Sequence, residues 1–177
     1  TADSVFKAVC EAMENAQKIA VESTQLNCRS FGISLDIDLF QQWLNDYHTD
    51  PSQCAKGPWV DPGFAKAWYE DNKNRSITNR SLPIQMSALR LGEVGLLFHP
   101  AELYSYYGLA IRRGASLDHT LVVGYTDGMI GYLPDPAAYT AGEYAATTVP
   151  KILDYPPFTP DAAQKMTEAA IELLSNV

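Results

Sequence analysis

The residue best placed to do chemistry lies where an apolar segment ends. Residues 94–98 are apolar and predict a strand, and the sequence His-Pro-Ala-Glu follows at 99–102, where Glu102 is expected to open a helix. In an open α/β sheet, functional sites are usually built where the carboxyl end of a strand meets a helix N-terminus. The competing interpretation is structural, because the helix dipole alone favours a carboxylate in the first turn by about 0.3–1 kcal/mol.

Tyr132 is the second candidate, and it ends a glycine-rich segment. Residues 124–132 read GYTDGMIGY and directly follow an apolar run, so their glycines would let the backbone fold tightly over a cavity. Tyr132 would then lie at the same sheet edge as Glu102. A tyrosine beside a dication can bind as a phenolate, although a packing role for Tyr132 is the alternative.

The histidines and cysteines form no familiar metal motif. No two histidines have ligand spacing on one element, and the cysteines include no C-x-x-C pair. A G-x-S-x-G elbow, a P-loop and H-E-x-x-H are also absent from the sequence. A disulfide between Cys28 and Cys54 would require an oxidising compartment, whereas Cys10 is expected to be a small buried apolar residue. The histidines are His48, His99 and His119.

The amino-acid composition of the chain excludes some classes of binding partner. The chain has 177 residues, 46% of them hydrophobic, and a formal net charge of −8 with no basic stripe. Such a surface repels phosphate backbones, so we expect no nucleic-acid partner. We also expect no transmembrane segment, because no stretch approaches the roughly 18 apolar residues that a span requires.

The elements that position these residues alternate between helices and strands. The run 119–125 is almost continuously apolar and predicts a central strand covered on both faces. Gly92 joins two strands in a tight hairpin. Strands are expected at 30–37, 83–91, 93–98 and 119–125. Helices are expected at 3–23 (N-cap Asp3), 39–47, 63–74, 101–113 and from 160 (N-cap Thr159). The pattern predicts a single α/β unit over residues 1–177, with a mixed sheet flanked by helices.

An ordered series of short motifs between residues 85 and 144 resembles a known family. Residues 89–95, LRLGEVG, lead into Pro100-Ala101-Glu102, a strand follows, and Gly131-Tyr132-Leu133-Pro134 comes after it. This order is similar to the later part of the catalytic domain in neutral/alkaline ceramidases and their bacterial relatives. There a strand pair leads into Pro-Gly-Glu, and Asn-x-x-x-Gly-Tyr-x-Pro-Thr follows the next strand. The resemblance implies the C-terminal half of a larger catalytic domain.

The resemblance also implies a site and an activity. It assigns zinc binding to Glu102 and Tyr132, and it implies that histidine ligands come from outside this chain. The expected function is therefore part of a zinc-dependent amide hydrolase for an N-acyl lipid or related amide, inactive as the isolated chain. The remaining part of the same catalytic domain would be a partner. The family's usual location suggests an extracytoplasmic protein, secreted or periplasmic.

The sequence departs from the family pattern at several positions. Ala101 replaces the glycine of Pro-Gly-Glu, Asp127 replaces the asparagine, and Asp135 replaces the threonine. The Gly-Gly-Tyr-Glu element appears as residues 141–144, AGEY, without its final glutamate. The alternative function is therefore a non-catalytic binding or assembly module that retains the fold.

Overall fold

A computed structural model describes residues 1–53 and 62–177, and its centre is a four-stranded mixed sheet. Strand β1 (Thr24–Ser34) pairs antiparallel with β2 (Ser81–Leu91), and β2 pairs antiparallel with β3 (Val94–Phe98). Gly92 has φ +59° and closes the β2–β3 hairpin, as the sequence predicted. A later strand, His119–Val123, pairs parallel with β3 and completes the sheet.

A second, two-stranded sheet lies next to the first. Its strands are β4 (Glu102–Leu103) and β6 (Tyr132–Leu133), which pair parallel, while His119–Val123 is β5 in chain order. Glu102 therefore lies in a strand, and the prediction that it opens a helix was wrong. The Glu102 N–H donates to the carbonyl of Gly131 (2.8 Å), so the helix, α4 (Ser105–Gly114), begins three residues later.

The remaining helices cover the sheet and its ends. α8 (Ala162–Leu174) packs against β1, β2, β3 and α4, and its apolar face is buried in the main core. α2 (Ile37–Thr49) and α3 (Pro62–Asn72) form a smaller cluster in which the ring of Phe40 meets Trp68 edge to face at 5.8 Å. The helices are α1 (Ala2–Glu14), α2 (Ile37–Thr49), α3 (Pro62–Asn72), α5 (Pro136–Ala141), α6 (Tyr144–Thr147), α7 (Val149–Ile152) and α8 (Ala162–Leu174). The predicted fold class, a mixed sheet flanked by helices, is confirmed.

The N-terminal third differs most from the prediction. α1 ends at Glu14 rather than near residue 23, its N-cap is Thr1 rather than Asp3, and none of its residues is buried. β1 begins at Thr24 rather than at residue 30, because β2 offers a partner for all eleven residues of the longer strand. Pairing with β2 thus extends the strand through polar residues that show no apolar alternation.

Two further elements lie elsewhere than expected. β5 is an edge strand with Leu121 54% exposed, so the prediction of a central strand covered on both faces was wrong. The last helix begins at Ala162 with Asp161 as its N-cap. Thr159 instead donates its hydroxyl to the Asp161 carboxylate (2.6 Å) and does not cap the helix. The proline-rich run before it crosses the core, where Phe158 is buried and bridges to Leu35.

Two smaller sequence expectations concern cysteines and membrane spans. Cys10 and Cys28 are free thiols and Cys10 is only partly buried, while Cys54 lies outside the described residues. Within the described ranges, no helix is long and apolar enough to cross a bilayer.

Candidate functional site

The site forms where the chain continues past the parallel strands β3 and β5. The His99 N–H donates to the carbonyl of Val123 (3.0 Å), and the Thr126 N–H donates to the carbonyl of His99 (3.0 Å). These bonds carry the ladder beyond the last residues of both strands. Residues 99–102 and 124–132, the two segments singled out by the sequence, therefore run side by side.

Glu102 and Tyr132 are register partners in the small β4–β6 sheet. Gly131, just before Tyr132, has φ +77°, and a Cβ there would lie 2.8 Å from side-chain carbons of Val149 and Leu153. Only glycine fits this turn without strain or displacement of its neighbours. The turn delivers Tyr132 opposite Glu102, so the structure brings the two candidate residues together.

Both side chains line a cleft of about 450 Å³. His99, Gly124 and Tyr125 also line it. The cleft thus combines a carboxylate, two phenols and an imidazole within one concave surface. Such a combination, with a few convergent polar groups, is typical of a small-molecule site.

The two phenols share one carboxylate. Hydrogen bonding to the Glu102 carboxylate is the main cause that raises the pKa of Tyr125 to about 12, and the same interaction raises the pKa of Tyr132. Both phenols therefore hold their protons more firmly than a free tyrosine does. The result is a cluster of oxygen atoms around one negative charge, which suits a hard or borderline cation.

Tyr125 is a site residue that the sequence reasoning missed. Its backbone lies in the left-handed region at φ 58°, which is uncommon for a residue other than glycine and is often associated with functional sites. Its side chain lines the cleft together with Glu102, although the residue is largely exposed. An indication of this role in the sequence is the position of Tyr125 directly after Gly124, where the apolar run ends.

Other aromatic residues hold Tyr132 in place. The rings of Tyr104 and Tyr144 each meet the Tyr132 ring edge to face, at 6.3 Å and 6.5 Å. Tyr104 donates its hydroxyl to the Glu143 carboxylate (2.9 Å), and burial together with this carboxylate raises its pKa to about 12. Residues of the AGEY element thus lie beside the candidate site and restrict the orientation of Tyr132.

Of the three histidines, only His99 lines the cleft. Its Nδ1 accepts a hydrogen bond from the Ala101 N–H (3.2 Å), and burial lowers its pKa to about 4. His119 is exposed at the start of β5, the opposite end of that strand. His48 instead pairs with the hydroxyl of Tyr69 (3.0 Å) on the surface.

The residues present fit part of a zinc site. Glu102 and Tyr132 supply two oxygen donors, whereas zinc sites in proteins use three or four protein ligands. Across residues 1–53 and 62–177, no group of three or more His, Cys, Asp and Glu residues is arranged to hold a metal ion.

Comparison with known proteins gives matches only at the level of structure. No family model matches the sequence, and no curated protein matches it. The structure of neutral ceramidase from Pseudomonas aeruginosa is 18% identical, with a TM-score of 0.56, over 96% of this chain. A structure described as ceramidase complexed with C2 is 26% identical over 59% of this chain, with a TM-score of 0.44.

The chain corresponds to only part of each ceramidase structure. This chain spans 31% of the length of the Pseudomonas aeruginosa protein and 16% of the other ceramidase structure. Nearly all of the chain is nevertheless covered in the first comparison. The chain therefore has the fold of a part of neutral ceramidase.

Proposed function

We propose that this chain is part of a zinc-dependent amide hydrolase of the neutral ceramidase family, acting on an N-acyl lipid or a related amide. The observation that carries the proposal is the register pairing of Glu102 with Tyr132 at the cleft. The motif resemblance named these two residues as ligands from the sequence alone. The fold shared with a part of neutral ceramidase supports the proposed family relationship.

Glu102 and Tyr132 would hold zinc through their side-chain oxygens. Zinc bound there would polarise the amide carbonyl and lower the pKa of its water. The Tyr104–Glu143 pair fixes the ring that packs against Tyr132. The residues of this chain thus supply positioned oxygen donors rather than a complete catalytic centre.

The missing nitrogen ligands would come from the remaining part of the same catalytic domain. We place this chain in the C-terminal half of that domain, following the order of its motifs. By itself the chain would then bind zinc weakly and hydrolyse amides no faster than background. An extracytoplasmic location, secreted or periplasmic, belongs to the same proposal.

Hydrolysis of a fluorogenic N-acyl sphingosine by the natural polypeptide that contains this chain tests the proposal. We expect activity that a chelator removes and added zinc restores. Glu102→Gln should abolish it, because the variant loses a charged ligand. Glu93→Gln serves as the matched control, since Glu93 is exposed at the β2–β3 hairpin, away from the cleft.

Two results would contradict the proposal. If the natural polypeptide lacks zinc-dependent amide hydrolysis, the function is wrong and a binding or assembly module that keeps the fold takes its place. If Glu102→Gln retains full activity, the function stands but the ligand assignment does not.

A further inference from the structure

We propose that His99 is a catalytic residue whose Nε2–H donates a hydrogen bond to the acyl oxygen of an amide bound in the cleft. This inference rests on the proposed hydrolase function and adds a residue for which the family resemblance gives no role. It assigns His99 to binding of the acyl group and not to the metal.

A backbone hydrogen bond determines the tautomer of the His99 imidazole. Nδ1 accepts a hydrogen bond from the Ala101 N–H, and a backbone N–H can only donate. The lone pair of Nδ1 is therefore occupied, and the ring proton must be carried by Nε2. Burial lowers the pKa of His99 to about 4, so the ring is neutral at pH 7 with a single N–H donor.

The Nε2–H of His99 makes no hydrogen bond within the described part of the chain. Among the described residues, no hydrogen bond joins Nε2 to another group, although His99 is only 2% exposed. Within the described residues, Trp68 Nε1 is the side-chain polar atom that is fully enclosed and has no hydrogen-bond partner. Nε2 of His99 also lacks a partner but is not fully enclosed, so it keeps a small contact with solvent. A group that enters the cleft can therefore reach this donor.

Gly124 lies next to the imidazole ring of His99. A Cβ on Gly124 would lie 2.9 Å from the Ala101 carbonyl oxygen, and it would be in ordinary contact with His99, 3.5 Å from Cε1 and 3.9 Å from Nε2. Because glycine has no Cβ, residue 124 places no side chain against this edge of the ring, and both residues line the cleft that contains Glu102. The Nε2–H therefore points from a fixed, buried ring into the space where a substrate would bind.

The chemistry that fits this donor is stabilisation of an oxyanion. A water oxygen adds to the amide carbon, and the carbonyl π electrons move to the acyl oxygen, which His99 stabilises without giving up its proton. The C–N bond then breaks, and the amine leaves with a proton that originates from the water. A preorganised neutral donor contributes to such a step because it needs no reorganisation as the charge develops. A metal-ligand role is disfavoured, since the free nitrogen carries hydrogen.

The test begins with the tautomer in the wild-type protein. With ¹⁵N-labelled histidine, two-bond ¹H–¹⁵N correlations should show His99 protonated at Nε2 at pH 7. Addition of N-hexanoyl sphingosine in detergent micelles to the natural polypeptide should shift the His99 Nε2–H resonance, while His119 stays unchanged. A proton on Nδ1, or no shift on saturation with the amide, would overturn the proposal.

Kinetics of two variants then separate a donor from a structural residue. His99→Asn removes the group at Nε2, and we expect kcat to fall about 10²–10³-fold with KM changed less than about threefold. His99→Gln places an amide N–H near the Nε2 position and should recover most of the loss. Equal kcat in the Asn variant and the wild type would reject the role of His99 and leave the hydrolase function intact. Absence of hydrolysis in the wild type would reject the function, and the resonance shift would then decide the donor role.

Discussion

At the scale of single residues, Glu102 connects the parts of the candidate site. Its backbone N–H is fixed by the Gly131 carbonyl, and its carboxylate interacts with the hydroxyls of Tyr125 and Tyr132. The backbone of Glu102 therefore has a defined position before any ligand binds. Preorganisation of this kind reduces the cost of assembling a binding site.

His99 gives the protein a sensitivity to acid that can be measured. Its folded pKa of about 4 lies below the ordinary value of 6.5, so the unfolded chain binds the proton more tightly. The contribution of His99 to the free energy of unfolding is fully present above pH 6.5 and is lost as the pH falls towards 4. Between pH 7 and pH 5 we expect a loss of about 2 kcal/mol from this group. Urea unfolding at both pH values measures it.

The matched variant for this prediction is His99→Gln. It cannot take up the proton, so its free energy of unfolding should change less between pH 7 and pH 5 than that of the wild type. The carboxylate of Asp161, whose pKa is lowered chiefly by hydrogen bonding to Lys165, titrates below this window. Parallel losses in the two proteins would mean that His99 is not the acid-sensitive group.

The positions of Glu102 and Tyr132 made them candidates, and the motif resemblance gave them a ligand role. Tyr125 was not a candidate, because its place in the cleft depends on a left-handed backbone that the sequence does not reveal. The orientation of His99 depends on the hydrogen bond that its Nδ1 accepts from the Ala101 N–H, and its backbone is held by the Val123 carbonyl. Its place in the cleft therefore follows from tertiary pairing and not from local spacing.

At the scale of elements, β4 and β6 show why the helix prediction failed. Each strand has two residues, and its partner lies about thirty residues away along the chain, so no local periodicity marks it. The same limit applies to the short helices α5, α6 and α7, for which the sequence predicted no element. By contrast, β2, β3 and the hairpin at Gly92 were predicted closely, because apolar alternation and a turn glycine coincide there.

Gly131 is the backbone position on which β6 depends. Gly131→Ala should destabilise the protein by about 1–3 kcal/mol, because it strains a positive φ and meets Val149 and Leu153 at 2.8 Å. The control is Gly108→Ala in α4, where no atom lies within 4 Å of the new Cβ. It should stabilise the helix by about 0.5–1 kcal/mol. Urea unfolding of both variants measures these effects, and a neutral Gly131→Ala would show that the turn tolerates a side chain.

At the scale of the whole molecule, stability is concentrated in the sheet and α8. The buried face of α8 meets three strands, whereas α1 leaves its apolar face exposed. The exposed apolar residues of α1 include Val5, Phe6, Val9 and Met13. The sequence predicted the amphipathic character of α1 correctly, but periodicity alone cannot tell whether a partner covers that face.

Deleting residues 1–14 should therefore change the free energy of unfolding by no more than about 0.5 kcal/mol, because the helix buries none of its side chains. Leu174→Ala should cost about 2–5 kcal/mol, since Leu174 is fully buried in the main core. Urea unfolding compares the two proteins. A large loss from the deletion would mean that α1 stabilises the core through contacts other than burial of its side chains.

The most direct test of the account is the zinc content of the natural polypeptide and its variants, measured by inductively coupled plasma mass spectrometry. If Glu102 and Tyr132 are zinc ligands, we expect about one zinc ion per chain in the wild type and loss of that zinc in both Glu102→Gln and Tyr132→Phe. The controls Glu93→Gln and Tyr106→Phe change the same groups at exposed positions and should keep it. Full zinc occupancy in both site variants would contradict the assignment of Glu102 and Tyr132 as ligands.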